Sequence, residues 1–227
     1  MSAHSLQVID TILDSLSQYD GDRYFSQDYE ALVREELNKG LDLLLSREGG
    51  GGDIFFRYLI LLYARKQYSA RIFHLGQAAQ LLLWMNRAYT ADALEQMPAL
   101  IRRTCREIER LHSCWDTWQN PALCSGTIRH IERSYSGVNL KELSRQMGVN
   151  ASYLSRVLSQ NFHATFLDLL HTKRILTALD LFRSGEASLQ METIAANLGY
   201  SSQHYFYCVF KRYTGLTPSA AQNLIRA

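Results

Sequence analysis

The sequence predicts an all-α protein: a helical N-terminal half, then a second half in which one helix-turn-helix pattern is written twice. Three observations lead there. Apolar residues recur three or four positions apart along most of the chain, with no alternating run between turn residues. Only three prolines (Pro98, Pro121 and Pro218) interrupt 227 residues, which favours long helices. The second half holds two copies of one short pattern. With 47% hydrophobic and 20% charged residues the composition is ordinary and globular, and the chain is long enough for a core without metals or disulfides.

In the first half, Leu6, Ile9, Leu13 and Leu16 share one helical spacing, as do Leu37, Leu41, Leu44 and Leu45. The run Gly49–Gly52 is too flexible for helix or strand and reads as a loop. A dense apolar segment from Ile54 to Tyr63 follows, then helical stretches from Ile72 to Tyr89 and from Leu94 to Trp118. Asn120-Pro121 breaks the pattern. The expected division is therefore a regulatory or dimerisation domain at 1–118, a linker at 119–125 and a second domain at 126–227.

The repeat carries most of the information. One copy is Leu140–Leu158, the other Met191–Phe210. Each has an apolar residue, three others, a second apolar residue and a glycine: Leu143, Met147, Gly148 and Ile194, Leu198, Gly199. The glycine suits the left-handed residue that ends a helix. A small polar residue follows, Asn150 or Ser201, suited to cap the next helix. Between the copies Thr165–Arg183 reads as one long connecting helix. On the second helix of the first copy, Leu154, Val157, Leu158 and Phe162 form an inward stripe and leave Ser152, Ser155, Arg156 and Ser159 outward. In the other copy Phe206, Val209, Phe210 and Tyr213 face inward, leaving Gln203, His204, Tyr207, Cys208 and Lys211 outward. Such a polar face can enter a major groove, where an arginine such as Arg156 matches guanine O6/N7 and a glutamine such as Gln203 matches adenine. Tyr153, Tyr205, Phe206 and Phe210 read as core.

From Leu143-Ser144, Tyr153–Arg156, Lys173-Arg174, Ile194-Ala195 and the block Leu198–Ser219, the second half resembles the AraC/XylS family of bacterial transcription regulators. The resemblance covers about residues 127–226. It implies two helix-turn-helix units on a connecting rod, one helix of each in successive major grooves of double-stranded DNA. It also implies an activator with RNA polymerase as a partner. The family's base-reading positions fall on Ser152, Ser155 and Arg156, and on Gln203, His204, Tyr207 and Cys208. Lys211 and Arg212 fall on the phosphate side, and Lys173 and Arg174 where the connecting helix carries its basic pair. The second reading of that pair is a structural one, fixing the connecting helix. Cys208 stands where an arginine often reads a base, and Ser155 is shorter than the usual residue, which shifts weight onto Arg156 and DNA shape.

Charge agrees with a polyanionic partner. Residues 127–227 hold eleven Lys/Arg against six acids, and the remainder thirteen against sixteen. The first half lacks the Gly/Pro-punctuated strands of the effector barrel many family members carry. Its helices form either a dimerisation and partner-docking module or, through Phe55, Phe56, Tyr58, Tyr63, Phe73, Trp84 and Tyr89, a pocket for an unidentified effector. Cys105, Cys114, Cys124 and Cys208 lack metal-ligand spacing, and His74, His112 and His130 form no paired motif. No catalytic motif is present, so neither an enzyme nor a cofactor is expected. The acidic start and the absence of an 18-residue apolar run point to a cytoplasmic chain without membrane contact.

Overall fold

A computed structural model describes residues 51–69, 73–88, 106–107, 110–111, 118–183 and 190–226. The readings placed on residues 1–50, on most of 89–117, and on Cys105, Cys114 and His112 lie outside them. Every regular element among the described residues is an α-helix: α1 (Gly51–Ser69), α2 (Leu75–Ala88), α3 (Pro121–Ser134), α4 (Leu140–Gln146), α5 (Ala151–Phe162), α6 (Phe166–Arg183), α7 (Met191–Asn197), α8 (Gln203–Thr214) and α9 (Pro218–Arg226).

Local chemistry sets most boundaries. Asn139, Asn150 and Ser202 each accept a hydrogen bond from the backbone N–H three residues on, capping α4, α5 and α8. Thr165 and Asp168 bond reciprocally ahead of α6: the Asp168 N–H donates to Thr165 Oγ1, and the Thr165 N–H to Asp168 Oδ2. Gly215, at φ 75°, ends α8, and Pro218 opens α9.

Four expectations are corrected. The cap of α8 is Ser202, not Ser201, because the second turn is one residue longer. Residues 121–125 of the expected linker are helix: Pro121 occupies the first turn, where its missing N–H costs nothing, and Cys124 is buried. The glycine run is not all loop, since α1 begins at Gly51. Tyr205 is not core but 46% exposed.

The core falls into two clusters. The first joins α3, α4, α5 and the start of α6 through Ile128, Ile131, Leu143, Leu154, Leu158, Phe162 and Leu169. The second joins the end of α6 with α7, α8 and α9 through Leu176, Leu179, Ile194, Leu198, Phe206, Phe210 and Ala221. Helices α1 and α2 do not stand apart as a separate body: Leu75 and Ala79 enter the first cluster, and Tyr58, Leu61, Leu82 and Met85 the second.

Candidate nucleic-acid interface

Both turns have one hydrogen-bond pattern. In the first, Val149 N–H donates to Ser144 O and Gly148 N–H to Arg145 O; in the second, Tyr200 N–H donates to Ala195 O and Gly199 N–H to Ala196 O. This closure requires a left-handed residue, and the glycines supply it at φ 67° and 82°. Each turn delivers a capped helix whose apolar stripe is buried as the spacing predicts: Leu154, Val157, Leu158 and Phe162 on α5, and Phe206, Val209, Phe210 and Tyr213 on α8.

The opposite faces are open. On α5, Ser152, Arg156 and Ser159 are exposed and Ser155 is half-buried. The Arg156 guanidinium lies 5.4 Å from the centroid of the Tyr153 ring, which restrains it without burying it. On α8, Gln203, His204, Cys208, Lys211 and Arg212 are exposed, and His204 Nε2 lies 3.6 Å from the Cys208 thiol. Tyr207 is half-buried with its hydroxyl engaged by Ser219, so it offers a ring edge more than a free hydroxyl.

The basic pair of α6 is placed differently. Arg174 is 7% exposed and donates from Nε to Tyr135 O (2.9 Å) and from Nη2 to Ser136 O (3.3 Å). Its guanidinium also lies 4.9 Å from the Tyr200 ring centroid. It ties the end of α3 to the turn of the second unit, so the phosphate-side expectation does not hold for it; its guanidinium is buried and engaged inside the molecule. Lys173, half-buried, rests its ammonium over the rings of Tyr68 and Tyr135 at 5.1 and 5.6 Å. Lys211 and Arg212 remain at the surface of α8.

Around this joint burial decides protonation. His171 stacks on Tyr200, and burial, aided by the Arg174 charge, lowers its pKa to about 4, so it is neutral near pH 7. Burial would raise the Asp168 carboxyl, but hydrogen bonds from Tyr213 (2.5 Å) and Thr165 outweigh it and hold the group below its usual range. Tyr213 is correspondingly pushed upward by burial and by that carboxylate. Sequence reasoning missed this joint because its partners are 26 or more residues apart, apart from the Thr165–Asp168 spacing, which signals the helix start.

Among the described residues no cluster of three or more His, Cys, Asp or Glu could hold a metal ion, and no helix is long and apolar enough to cross a membrane.

Comparison with known proteins places the repeat. Residues 143–223 match a family described as a helix-turn-helix domain. Regulatory protein SoxS of Escherichia coli K12 is 33% identical over 90 residues, spanning 40% of this chain and 79% of SoxS. The xylose operon regulatory protein of the same organism is 25% identical over 126 residues, 55% of this chain, and the chain spans about a third of that relative's length (32%). Among solved structures, the C-terminal domain of AraT, a response regulator from Geobacillus stearothermophilus, is 28% identical, covering 48% of this chain and 88% of that one at a TM-score of 0.43.

Proposed function

The chain belongs to the AraC/XylS family of helix-turn-helix DNA-binding transcription regulators, and on that premise we propose that α5 and α8 are its reading helices, laid into successive major grooves on one face of double-stranded DNA. The observation that carries this is the matched pair of turns, each presenting a capped helix with its apolar stripe buried and its polar face free. Ser152, Ser155 and Arg156 would meet bases in one groove and Gln203, His204, Tyr207 and Cys208 in the next, with Lys211 and Arg212 at phosphates. Such an asymmetric pair reads a direct, non-palindromic site. The curated relatives are regulators, and a non-enzymatic role is part of the proposal, as is activation through contact with RNA polymerase.

For the first half, self-association or protein docking is favoured over an effector pocket. Of the aromatic residues that would line the pocket, Tyr58, Tyr63 and Phe73 are buried in the core shared with the second unit. Selection of duplexes from a random pool by the full chain tests the function: one sequence class should emerge that binds far more tightly than its scrambled version at the same salt. Equal retention of all sequences would refute sequence-specific reading.

A further inference from the structure

One helix outside both helix-turn-helix units carries a feature that the DNA contacts do not use. Helix α2 reaches both units. At one end, Leu75 and Ala79 enter the first core. Gly76 lies against Phe162, the last residue of α5, so closely that an added β-carbon would come 2.4 Å from that ring. His74 and Trp118 close edge-on around the same ring, with centroids 5.7 and 5.2 Å away. At the other end, Leu82 and Met85 enter the second core, and Asn86 Nδ2 donates at 2.6 Å to the carbonyl of Tyr213, next to last in α8. Arg57 of α1 donates to Asn86 Oδ1 at 3.3 Å, and its side chain packs on Gly215, which ends α8. The C-terminal ends of the two reading helices are thus pinned to the two ends of one helix about 21 Å long.

Two bodies joined by α6 and by the one contact of Tyr135 and Ser136 with Arg174 and Gly199 keep freedom to twist and bend about that joint. A second rod attached at both ends removes it. DNA presents its grooves on one face about 34–36 Å apart, and a rigid reader meets any other interval only by deforming the duplex. We propose that α2 is a second strut that fixes the separation of α5 and α8, with Gly76 and Asn86 as positioning residues that determine which half-site spacing the protein accepts. The inference rests on the DNA-reading role proposed above. The family match begins at residue 143, beyond α2, so the strut lies outside the matched module.

The test uses the full chain. The duplex it selects from a random pool is remade with one base pair inserted or removed between the two protected half-sites. Wild-type affinity should fall about tenfold or more on either change. Asn86→Ala should stay within about threefold of wild type on the parent duplex and shrink the spacing penalty about fivefold, the worth of one amide hydrogen bond. Arg57→Ala, which leaves the Asn86 amide but removes the group that aims it, should shrink the penalty less, and it carries the test if Asn86→Ala does not fold. A penalty unchanged in the folded variants, or parent and altered duplexes weakened alike, overturns the strut while leaving DNA reading intact. Failure of the wild-type chain to select any sequence overturns the DNA-reading role and the strut with it.

Discussion

Where the first turn has Gly148, no atom lies within 4 Å of the place a side chain would occupy. Where the second has Gly199, the same place falls 1.9 Å from the carbonyl oxygen of Ser136. The backbone closure is the same in both, so the difference lies in what packs behind it. The first turn only has to reverse the chain. The second also forms one wall of the joint in which Arg174 binds Tyr135 and Ser136 and lies against Tyr200. One local motif therefore serves twice under unequal constraint, and the second copy is tied to the rest of the protein through its turn.

The largest expected effect compares these glycines. Alanine at 148 meets only the left-handed backbone and should cost about 1 kcal/mol. Alanine at 199 adds a collision with backbone atoms that have little room to retreat, for a total of roughly 3–5 kcal/mol. At about 2–4 °C per kcal/mol for a chain of this size, thermal melting separates the two variants readily. Equal losses would mean that the second turn is no more constrained than the first.

A smaller effect separates the reading roles of the two units. Arg156→Ala on α5 should lose about 1–3 kcal/mol of discrimination at one base pair while changing nonspecific binding little. Lys211→Ala on α8 should weaken all duplexes alike and lower the slope of log affinity against log salt by about one. Competition titrations at several salt concentrations measure both. A uniform loss for Arg156→Ala would move that residue to the phosphates and leave the first unit without its main base contact.

The helix-turn-helix units were legible because their determinants are local: a glycine after an apolar residue, a cap two or three residues later, and a stripe at i, i+3 and i+4. Leu154, Val157, Leu158 and Phe162 lie inward as the spacing requires. Contacts that join distant segments left no such mark. Arg174 had two readings, phosphate contact or structural tie, and its spacing could not choose between them before Tyr135 and Ser136 were brought beside it. Tyr205 looked apolar enough to bury, yet it meets Tyr200 and His171 only in T-shaped contacts and stays exposed. The role of α2 left one faint trace: Leu75–Met85 carries no charged residue and is apolar or small but for Gln77 and Gln80, as in a helix enclosed by neighbours rather than lying on a surface.

The finest distinction between the units is how each responds to acid. Each packs a histidine among rings: half-buried His74 beside Phe162 and Trp118 at the first, and buried His171 beside Tyr200 at the second. Burial lowers both from 6.5 to about 4. Gln77 N–H donates to His74 Nδ1, so that nitrogen bears no proton. Above about pH 6.5 both rings are neutral folded or unfolded and cost nothing. As pH falls toward about 4 the unfolded chain takes up protons that the folded chain refuses, so stability declines across that window. The Asp168 carboxyl, held low by Tyr213 and Thr165, loses its contribution only at more acid pH, as protons reach it in the folded state. The melting midpoint should therefore drop by roughly 5–15 °C between about pH 6.5 and 4.5. His171→Gln should flatten part of that decline and His74→Gln another part. Because the Arg174 charge adds to burial at His171 but is no cause of the shift at His74, Arg174→Gln should reduce the acid sensitivity that His171 confers and leave that of His74 in place. An equal change at both sites would show that the joint does not set the second unit apart electrostatically.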